Sequence, residues 1–183
     1  LLNKLFLRDP ITRKRRLYIR TYAAVPLKSD EIGKESGLVE WVENTNVFRG
    51  LIEETERETA PAPYYYEPKT RNELCKSLND AEDKTKRFRS LVAAAPRVMH
   101  KWFLLKFREP TRWLEARNNY VKTCAVMSMV GWVMGLGDRH TENILIDTVT
   151  GDTLHIDLNM IFETGRALRV SETVPFRLTN NVI

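Results

Sequence analysis

Gly137-Asp138-Arg139-His140-Thr141-Glu142-Asn143-Ile144-Leu145-Ile146-Asp147, with Leu154-His155-Ile156-Asp157 a few residues on, is the most informative stretch of this 183-residue chain. Asp138 and Asn143 stand five residues apart in a polar loop. Asp157 follows fourteen residues after Asn143, at the end of an apolar run. Phosphoryl transfer needs those parts: one carboxylate to receive or orient an attacking hydroxyl, and an Asn and an Asp to hold magnesium on the phosphates. Residues 144–146 and 154–156 read as short strands, and Thr150-Gly151-Asp152 supplies the turn between them. Asn143 then sits at the entry of a small hairpin and Asp157 at its exit, an arrangement that can bring two oxygen ligands onto one metal.

Working outward, the 43% hydrophobic content is enough for one sizeable core, or for one domain and part of another. The chain starts at Leu1 and stops at Ile183 just after an apolar run, so it is expected to be a fragment of something larger. The 29 basic and 24 acidic residues leave a net charge of +5. That balance suits a chain that handles polyphosphate but is too weak to argue for nucleic-acid binding. Cys75 and Cys124 have neither framework nor metal spacing, which points to a reducing, intracellular compartment. No signal peptide is visible. The most apolar stretch, 123–137, is shorter than the roughly 18 residues of a membrane span and reads as a buried helix.

Residues 1–7 look like the end of an amphipathic helix stopped by Arg8-Asp9-Pro10, and Arg13-Lys14-Arg15-Arg16 reads as a basic, solvated turn. Residues 17–27, rich in β-branched and aromatic side chains, predict a strand. The polar loop 28–36 leads to a partner strand at 37–42. Asn44 or Asn46 is positioned to cap a helix with Val47, Leu51 and Ile52 inward. Residues 59–70 hold three prolines and predict a loop, and 71–93 predicts a charged helix broken at 94–96. Residues 97–107 predict a helix with Val98, Trp102, Leu105 and Phe107 on its core face. Pro110 suits the first turn of a long helix reaching Gly135. Its second half is apolar nearly all round, the pattern of a helix buried in the centre of a lobe. Trp102, Phe103, Trp113 and Trp132 read as packing residues. Arg139 reads as a structural ion-pair partner, and His155 as a brace for the loop. Tyr64-Tyr65-Tyr66 is an aromatic loop cluster that suggests a contact with other parts of the protein.

Leu136-Gly137-Asp138-Arg139-His140 with Glu142-Asn143-Ile144-Leu145 and His155-Ile156-Asp157 resembles the phosphatidylinositol 3-kinase-related protein kinases, and within them the ATR-type checkpoint kinases. The flanking Ala125-Val126-Met127-Ser128-Met129-Val130-Gly131, Val174-Pro175-Phe176-Arg177-Leu178-Thr179, Ile19-Arg20-Thr21-Tyr22-Ala23-Ala24-Val25-Pro26-Leu27 and Gly37-Leu38-Val39-Glu40-Trp41-Val42 carry the resemblance over nearly the whole chain. It implies an α+β, bilobal protein-kinase-like catalytic domain. Residues 1–42 would be the C-terminal part of the small lobe with the hinge. Residues 43–183 would be the large lobe up to the activation segment. Asp138 and His140 match the family's catalytic pair, with His140 near the transferring phosphate. Asn143 and Asp157 match its metal ligands. Tyr22, Glu40, Trp41, Val42, Leu145 and Ile156 fall where the family lines its adenine site, with Glu40-Trp41-Val42 as the hinge. The implied cofactors are ATP and Mg²⁺, with Mn²⁺ as the alternative metal. The implied partners are protein substrates phosphorylated on Ser or Thr followed by Gln, and an ATRIP-type regulator reached through regions outside this chain. DNA would be met only indirectly, membrane not at all, and the location would be nuclear.

Two departures stand out. Leu158 occupies the place of the family's usual Phe, and nothing in the chain matches the glycine-rich loop or its phosphate-binding Lys. An isolated 183-residue chain is therefore expected to bind ATP weakly and transfer little. A phosphoinositide lipid kinase is the first alternative. It needs basic residues after Asp157, where 158–169 holds only Arg166 and Arg169, with Glu163 ahead of them. A non-catalytic kinase-fold scaffold is the second, and such proteins lose the Asp/Asn/Asp set that is intact here.

Overall fold

The computed structural model describes residues 1–27, 36–62, 64–168 and 174–183. The loop expected at 28–36 lies outside these apart from Ser36, as do Pro63 and Arg169.

Asp9 separates two short helices, α1 (Leu2–Arg8) and α2 (Pro10–Arg15). Its backbone is extended, which ends α1, and its carboxylate accepts the Thr12 N–H at 2.8 Å, which starts α2. Arg13, Lys14 and Arg15 are therefore helical rather than a turn. An Asp-Pro start signal and the preference of cations for a helix C-terminus explain the difference.

Strands β1 (Ala24–Leu27) and β2 (Ser36–Val39) pair antiparallel, Ala24 opposite Val39 and Leu27 opposite Ser36. The strand expected from residue 17 begins only at Ala24. Upstream, Asn3 takes the place of a ladder partner: its side chain accepts the Ile19 N–H at 2.8 Å and donates to the Ile19 carbonyl at 2.9 Å.

A second sheet runs in the order β3 (Thr45–Val47), β4 (Ile144–Asp147), β5 (Thr153–His155), antiparallel throughout. Strand β3 leads directly into α3 (Phe48–Thr59), whose N-cap is Val47 with no side-chain cap. Neither Asn44 nor Asn46 caps it, because pairing with β4 holds 45–47 extended. Leu51 and Ile52 are buried as expected, while Val47 stays partly exposed on the sheet. The charged helix splits into α4 (Pro68–Asn79) and α5 (Lys84–Ala94), the latter capped by Asp83 through the Lys86 N–H at 2.9 Å.

The core gathers Phe48, Leu51 and Ile52 of α3 against Val98, Trp102, Phe103 and Phe107 of the α6 region (α6, Met99–Lys106) and Ile144 and Ile146 of β4. Phe103 stacks on Phe107 and meets Trp102 edge-on at 4.9 Å. Leu105 is turned outward instead. Glu56, buried on α3, accepts the backbone N–H groups of Tyr65 and Tyr66 at 2.6 and 2.7 Å. The Tyr66 hydroxyl donates to the Pro96 carbonyl and accepts from Asn181. Tyr65 and Tyr66 thus strut the loop within this chain.

Helix α7 (Pro110–Met134) begins with Pro110 in its first turn, where Glu109 accepts the Thr111 and Arg112 N–H groups. Those bonds hold the Glu109 carboxyl below the usual range. The second half of α7 is not buried all round. Thr123, Val126, Met127 and Gly131 face inward, while Met129, Trp132 and Val133 are exposed, Trp132 at 56%. Trp132 is therefore not a core residue. Among the described residues, no helix is long and apolar enough to cross a membrane.

Candidate active site

The loop that carries Asp138, His140 and Asn143 hangs from the end of α7. Gly135 closes the helix in the left-handed region (φ 59°), donating to the Gly131 and Trp132 carbonyls. A Cβ there would stand 2.7 Å from the Glu163 nitrogen, so the position favours glycine on both counts. Gly137 N–H then donates to the Met160 carbonyl at 2.7 Å, and Glu163 N–H to the Gly135 carbonyl at 2.9 Å. The chain after Asp157 thereby returns alongside the start of the loop.

Asp138 has a left-handed backbone (φ 58°), uncommon for a residue with a side chain. Asn143 is buried and aims its amide nitrogen back at it, 3.0 Å from the Asp138 carbonyl and 3.4 Å from Oδ2. His140 Nε2 lies 3.7 Å from Asp138 Oδ1. Its Nδ1 accepts the Glu142 N–H at 3.2 Å, so the neutral ring carries its proton on Nε2, the side facing Asp138. The loop is moored to α3, where Arg49 N–H donates to the Thr141 carbonyl and the guanidinium pairs with Glu142 at 2.6 Å.

Arg139 points the other way, into the protein. Its guanidinium donates to the carbonyls of Gly137 and Ile156, each at 2.8 Å, and of Asp157. Its own carbonyl accepts from Arg177 Nε at 2.6 Å. The structural role expected for Arg139 includes hydrogen bonds to backbone oxygens that join the loop to the exit of β5.

The β4–β5 hairpin sorts the remaining candidates by face. Ile156 N–H donates to the Asn143 carbonyl at 3.1 Å, extending the ladder by one pair beyond Ile144 and His155. Cross-strand partners share a face and neighbours alternate. Asn143, Leu145 and Ile156 therefore share one face, and Ile144, Ile146 and His155 the other, which packs on the core. Asp157 follows with a left-handed backbone (φ 53°) that turns its exposed carboxylate off the strand. Burial, and then the neighbouring Arg139 charge, lower the His155 pKa to about 4. Its ring is neutral, and among the described residues its buried Nδ1 has no hydrogen-bond partner.

The hinge candidates sit on the other hairpin. Tyr22 is half-buried. Glu40 N–H donates to the Ala23 carbonyl at 2.9 Å, and its carboxylate accepts the Ala23 N–H at 2.7 Å. Trp41 is 90% exposed, with its ring open to a ligand. The Val42 carbonyl accepts from Thr45 Oγ1 at 2.9 Å. The structure brings Asp138, His140 and Asn143 into direct proximity and ties them to Asp157 through β5. Sequence reasoning missed Tyr18, Arg20, Asp147 and Asp152, which meet at the far end of the hairpin. The signal was present: Arg20 is a lone charge in an otherwise apolar run.

Metal fit follows from the donor set. With its nitrogen engaged by Asp138, the Asn143 amide has its oxygen left to offer, and Asp157 adds an exposed carboxylate. Among the described residues no three His, Cys, Asp or Glu cluster as a metal cage. Two hard oxygen donors suit a hard divalent cation such as Mg²⁺, which is commonly held by one or two carboxylates together with substrate phosphates.

A family model described as phosphatidylinositol 3- and 4-kinase matches residues 1–183. The serine/threonine-protein kinase ATR of Oryza sativa subsp. indica is 40% identical over 186 residues, covering 100% of this chain and 7% of its own length. Protein kinase rad3 of Schizosaccharomyces pombe is 39% identical over 184 residues, again 100% of this chain and 7% of its own. A solved structure described as the FAT and kinase domain of CtTel1 superposes with a TM-score of 0.85 at 38% identity, covering 99% of this chain and 12% of that one. The chain thus spans only a small part of the length of these relatives.

Proposed function

This chain belongs to the phosphatidylinositol 3- and 4-kinase family, and from that premise we propose that it carries the catalytic loop, metal ligands and hinge of an ATP-dependent serine/threonine protein kinase of the ATR type. Residues 1–42 contribute the small-lobe end and 43–183 the large lobe. Asp138 receives or orients the proton of the substrate Ser/Thr hydroxyl. His140 offers its Nε2–H to the charge developing on the transferring phosphate. Asn143 and Asp157 are the residues that would hold Mg²⁺, which when bound would supply neutralisation of phosphate charge. Tyr22, Glu40, Trp41, Val42, Leu145 and Ile156 would line the adenine site, with backbone groups of 40–42 as its hinge and Leu145 and Ile156 as its apolar floor. Catalysis by such a set is positioning and electrostatics.

The observation that carries this reading is the Asn143–Asp138 hydrogen bonding. It locks the metal-side amide to the carboxylate that would meet the substrate. A protein substrate is favoured over a phosphoinositide by the segment after Asp157, where Arg166 is exposed and paired with Glu163 at 2.9 Å. By the same family premise, the sites phosphorylated are Ser or Thr followed by Gln. The setting is nuclear checkpoint signalling, with an ATRIP-type regulator bound through other regions and DNA met indirectly.

The test is γ-phosphate transfer by the protein as its source expresses it, with Mg²⁺ and ATP, to a Ser-Gln peptide and to phosphoinositide vesicles. Transfer to the peptide that Asp157→Ala abolishes is the expected result. Undiminished turnover by Asp157→Ala would refute the metal assignment, and transfer to the lipid alone would refute the substrate class.

A further inference from the structure

The turn closing the β4–β5 hairpin is built more heavily than a surface turn requires. Asp147 and Asp152, both nearly fully buried, face each other across it. Asp147 Oδ1 accepts the Val149 and Thr150 N–H groups, each at 2.8 Å, and Thr150 Oγ1 donates to Asp152 Oδ2. Two buried carboxylates side by side are unfavourable unless a cation joins them. Arg20 is that cation. One guanidinium nitrogen stands 2.9 Å from Asp147 Oδ2 and another 3.2 Å from Asp152 Oδ2. The Tyr18 hydroxyl donates to the remaining oxygen of Asp152.

The position of these groups matters more than their number. Tyr18 and Arg20 lie just upstream of β1, in the segment that no strand pairs. Downstream of β2, the Asn44 carbonyl accepts the Thr148 N–H at 2.7 Å and its hydroxyl at 3.1 Å. The chain entering the β1–β2 hairpin and the chain leaving it are thus both fastened to the same turn. The other end of that turn's hairpin bears Asn143 and Asp157. The four-residue step from Asp147 back to Asn143 places those ends roughly 13 Å apart, and the paired strands carry a displacement of one end to the other.

We infer that Tyr18, Arg20, Asp147 and Asp152 form a positioning clasp that sets the adenine-side β1–β2 hairpin relative to the metal-side residues Asn143 and Asp157. This rests on the function proposed above. With adenine held by one hairpin and the phosphates by the base of the other, the clasp fixes the span that ATP must bridge. Loosening it shifts the phosphates against the metal while leaving the surface that meets the protein substrate untouched.

The experiment compares Arg20→Gln, Arg20→Lys and Tyr18→Phe with the parent protein as its source expresses it. It measures kcat, KM for ATP, KM for a Ser-Gln peptide and the Mg²⁺ concentration for half-maximal rate, each per folded molecule. A misplacement of about 1 Å far from the chemistry can lower rate by up to about a hundredfold. Arg20→Gln is therefore expected to lower kcat about tenfold or more and to raise the ATP KM and the Mg²⁺ requirement about fivefold, with the peptide KM within about twofold. Arg20→Lys, which keeps the charge but not the fork, should recover part of each change. Arg20→Gln that lowers the melting temperature but leaves kcat, ATP KM and Mg²⁺ requirement unchanged overturns the inference. Where Arg20→Gln does not fold, Tyr18→Phe decides: a rise of about threefold in ATP KM supports the clasp, and parental constants overturn it. Asp157→Ala is run alongside. Should it retain transfer, the proposed function falls; should it abolish transfer while the Arg20 and Tyr18 variants behave as the parent, only the clasp falls.

Discussion

Replacing Arg139 by Lys tests whether the loop is held by geometry or by charge alone. Arg139 is 8% exposed and serves three carbonyls at once, two of them at 2.8 Å. Its Nε reaches back to Gly137 while the two terminal nitrogens reach Ile156 and Asp157. A lysine ammonium is a single point at the end of a flexible stem and cannot occupy three separated sites. It keeps one bond and forfeits two. A hydrogen bond to a charged group contributes roughly 1.5–3 kcal/mol, so the loss is about 3–6 kcal/mol. That is a large part of the roughly 5–15 kcal/mol that stabilises a domain. Urea unfolding should show a midpoint lowered accordingly. Hydrogen exchange should show the amides of Gly137 and Ile156 opening before the core. A change below about 1 kcal/mol, with loop amides protected as in the parent, would refute the account of Arg139 as the suture between loop and strand. Arg139→Gln separates the charge itself. The His155 pKa should then rise from about 4 but stay under 6.5, because burial is the larger cause of its lowering.

Three further outcomes follow from the same contacts. His155 is held neutral in the fold while an unfolded chain protonates near 6.5, so its share of stability is present at neutral pH, fades as pH falls below 6.5 and is gone below about 4. That share is roughly 3 kcal/mol, and an NMR titration placing the folded imidazole near 6.5 would contradict it. Gly151→Ala puts a Cβ 2.6 Å from the Ala116 carbonyl oxygen at φ 78°, so calorimetry should find a loss of about 2–4 kcal/mol from overpacking and a left-handed backbone together. Glu56→Ala strands the two half-buried N–H groups of Tyr65 and Tyr66, each worth up to about 1–3 kcal/mol; a melting temperature unchanged from the parent would remove Glu56 as the strut's anchor.

What the sequence disclosed was whatever is encoded locally. The ends of α7 follow from Pro110 and Gly135, each acting on its own turn. The β4–β5 hairpin follows from two short apolar runs about a Gly turn. Strand β3 escaped because Thr45-Asn46-Val47 is too short to show a period. It is a strand only through Asp147, Ile146 and Leu145, about a hundred residues away. The basic residues 13–15 are helical because Asp9-Pro10 starts a helix just upstream, whereas their charge alone reads as a solvated turn. The apolar second half of α7 predicts burial on every side, yet Trp132 and Val133 are exposed. Hydropathy says that a face wants covering, not what covers it. Of the candidate site, Asp138, Asn143 and Asp157 were legible from spacing. The three carbonyls that Arg139 binds are backbone oxygens, which no side-chain pattern reveals.

Asp138 and Asp157 share a property that spacing alone would not suggest: both are acidic residues with a left-handed backbone. For a side-chain-bearing residue that conformation is unfavourable by roughly 1–2 kcal/mol, and the fold must outweigh it at each. Arg139 is the element placed to do so. It binds the Gly137 carbonyl just before one such residue and the carbonyl of the other, Asp157, together with that of Ile156 before it. Relaxing either Asp toward the β or right-handed region would rotate a carbonyl out of the fork and give up a charge-assisted bond worth more than the strain relieved. The two carboxylates are thus turned off their chain segments by the same buried cation that never reaches the solvent side. This explains why an arginine whose side chain faces inward stands between Asp138 and His140, whose side chains approach each other at 3.7 Å outside the core.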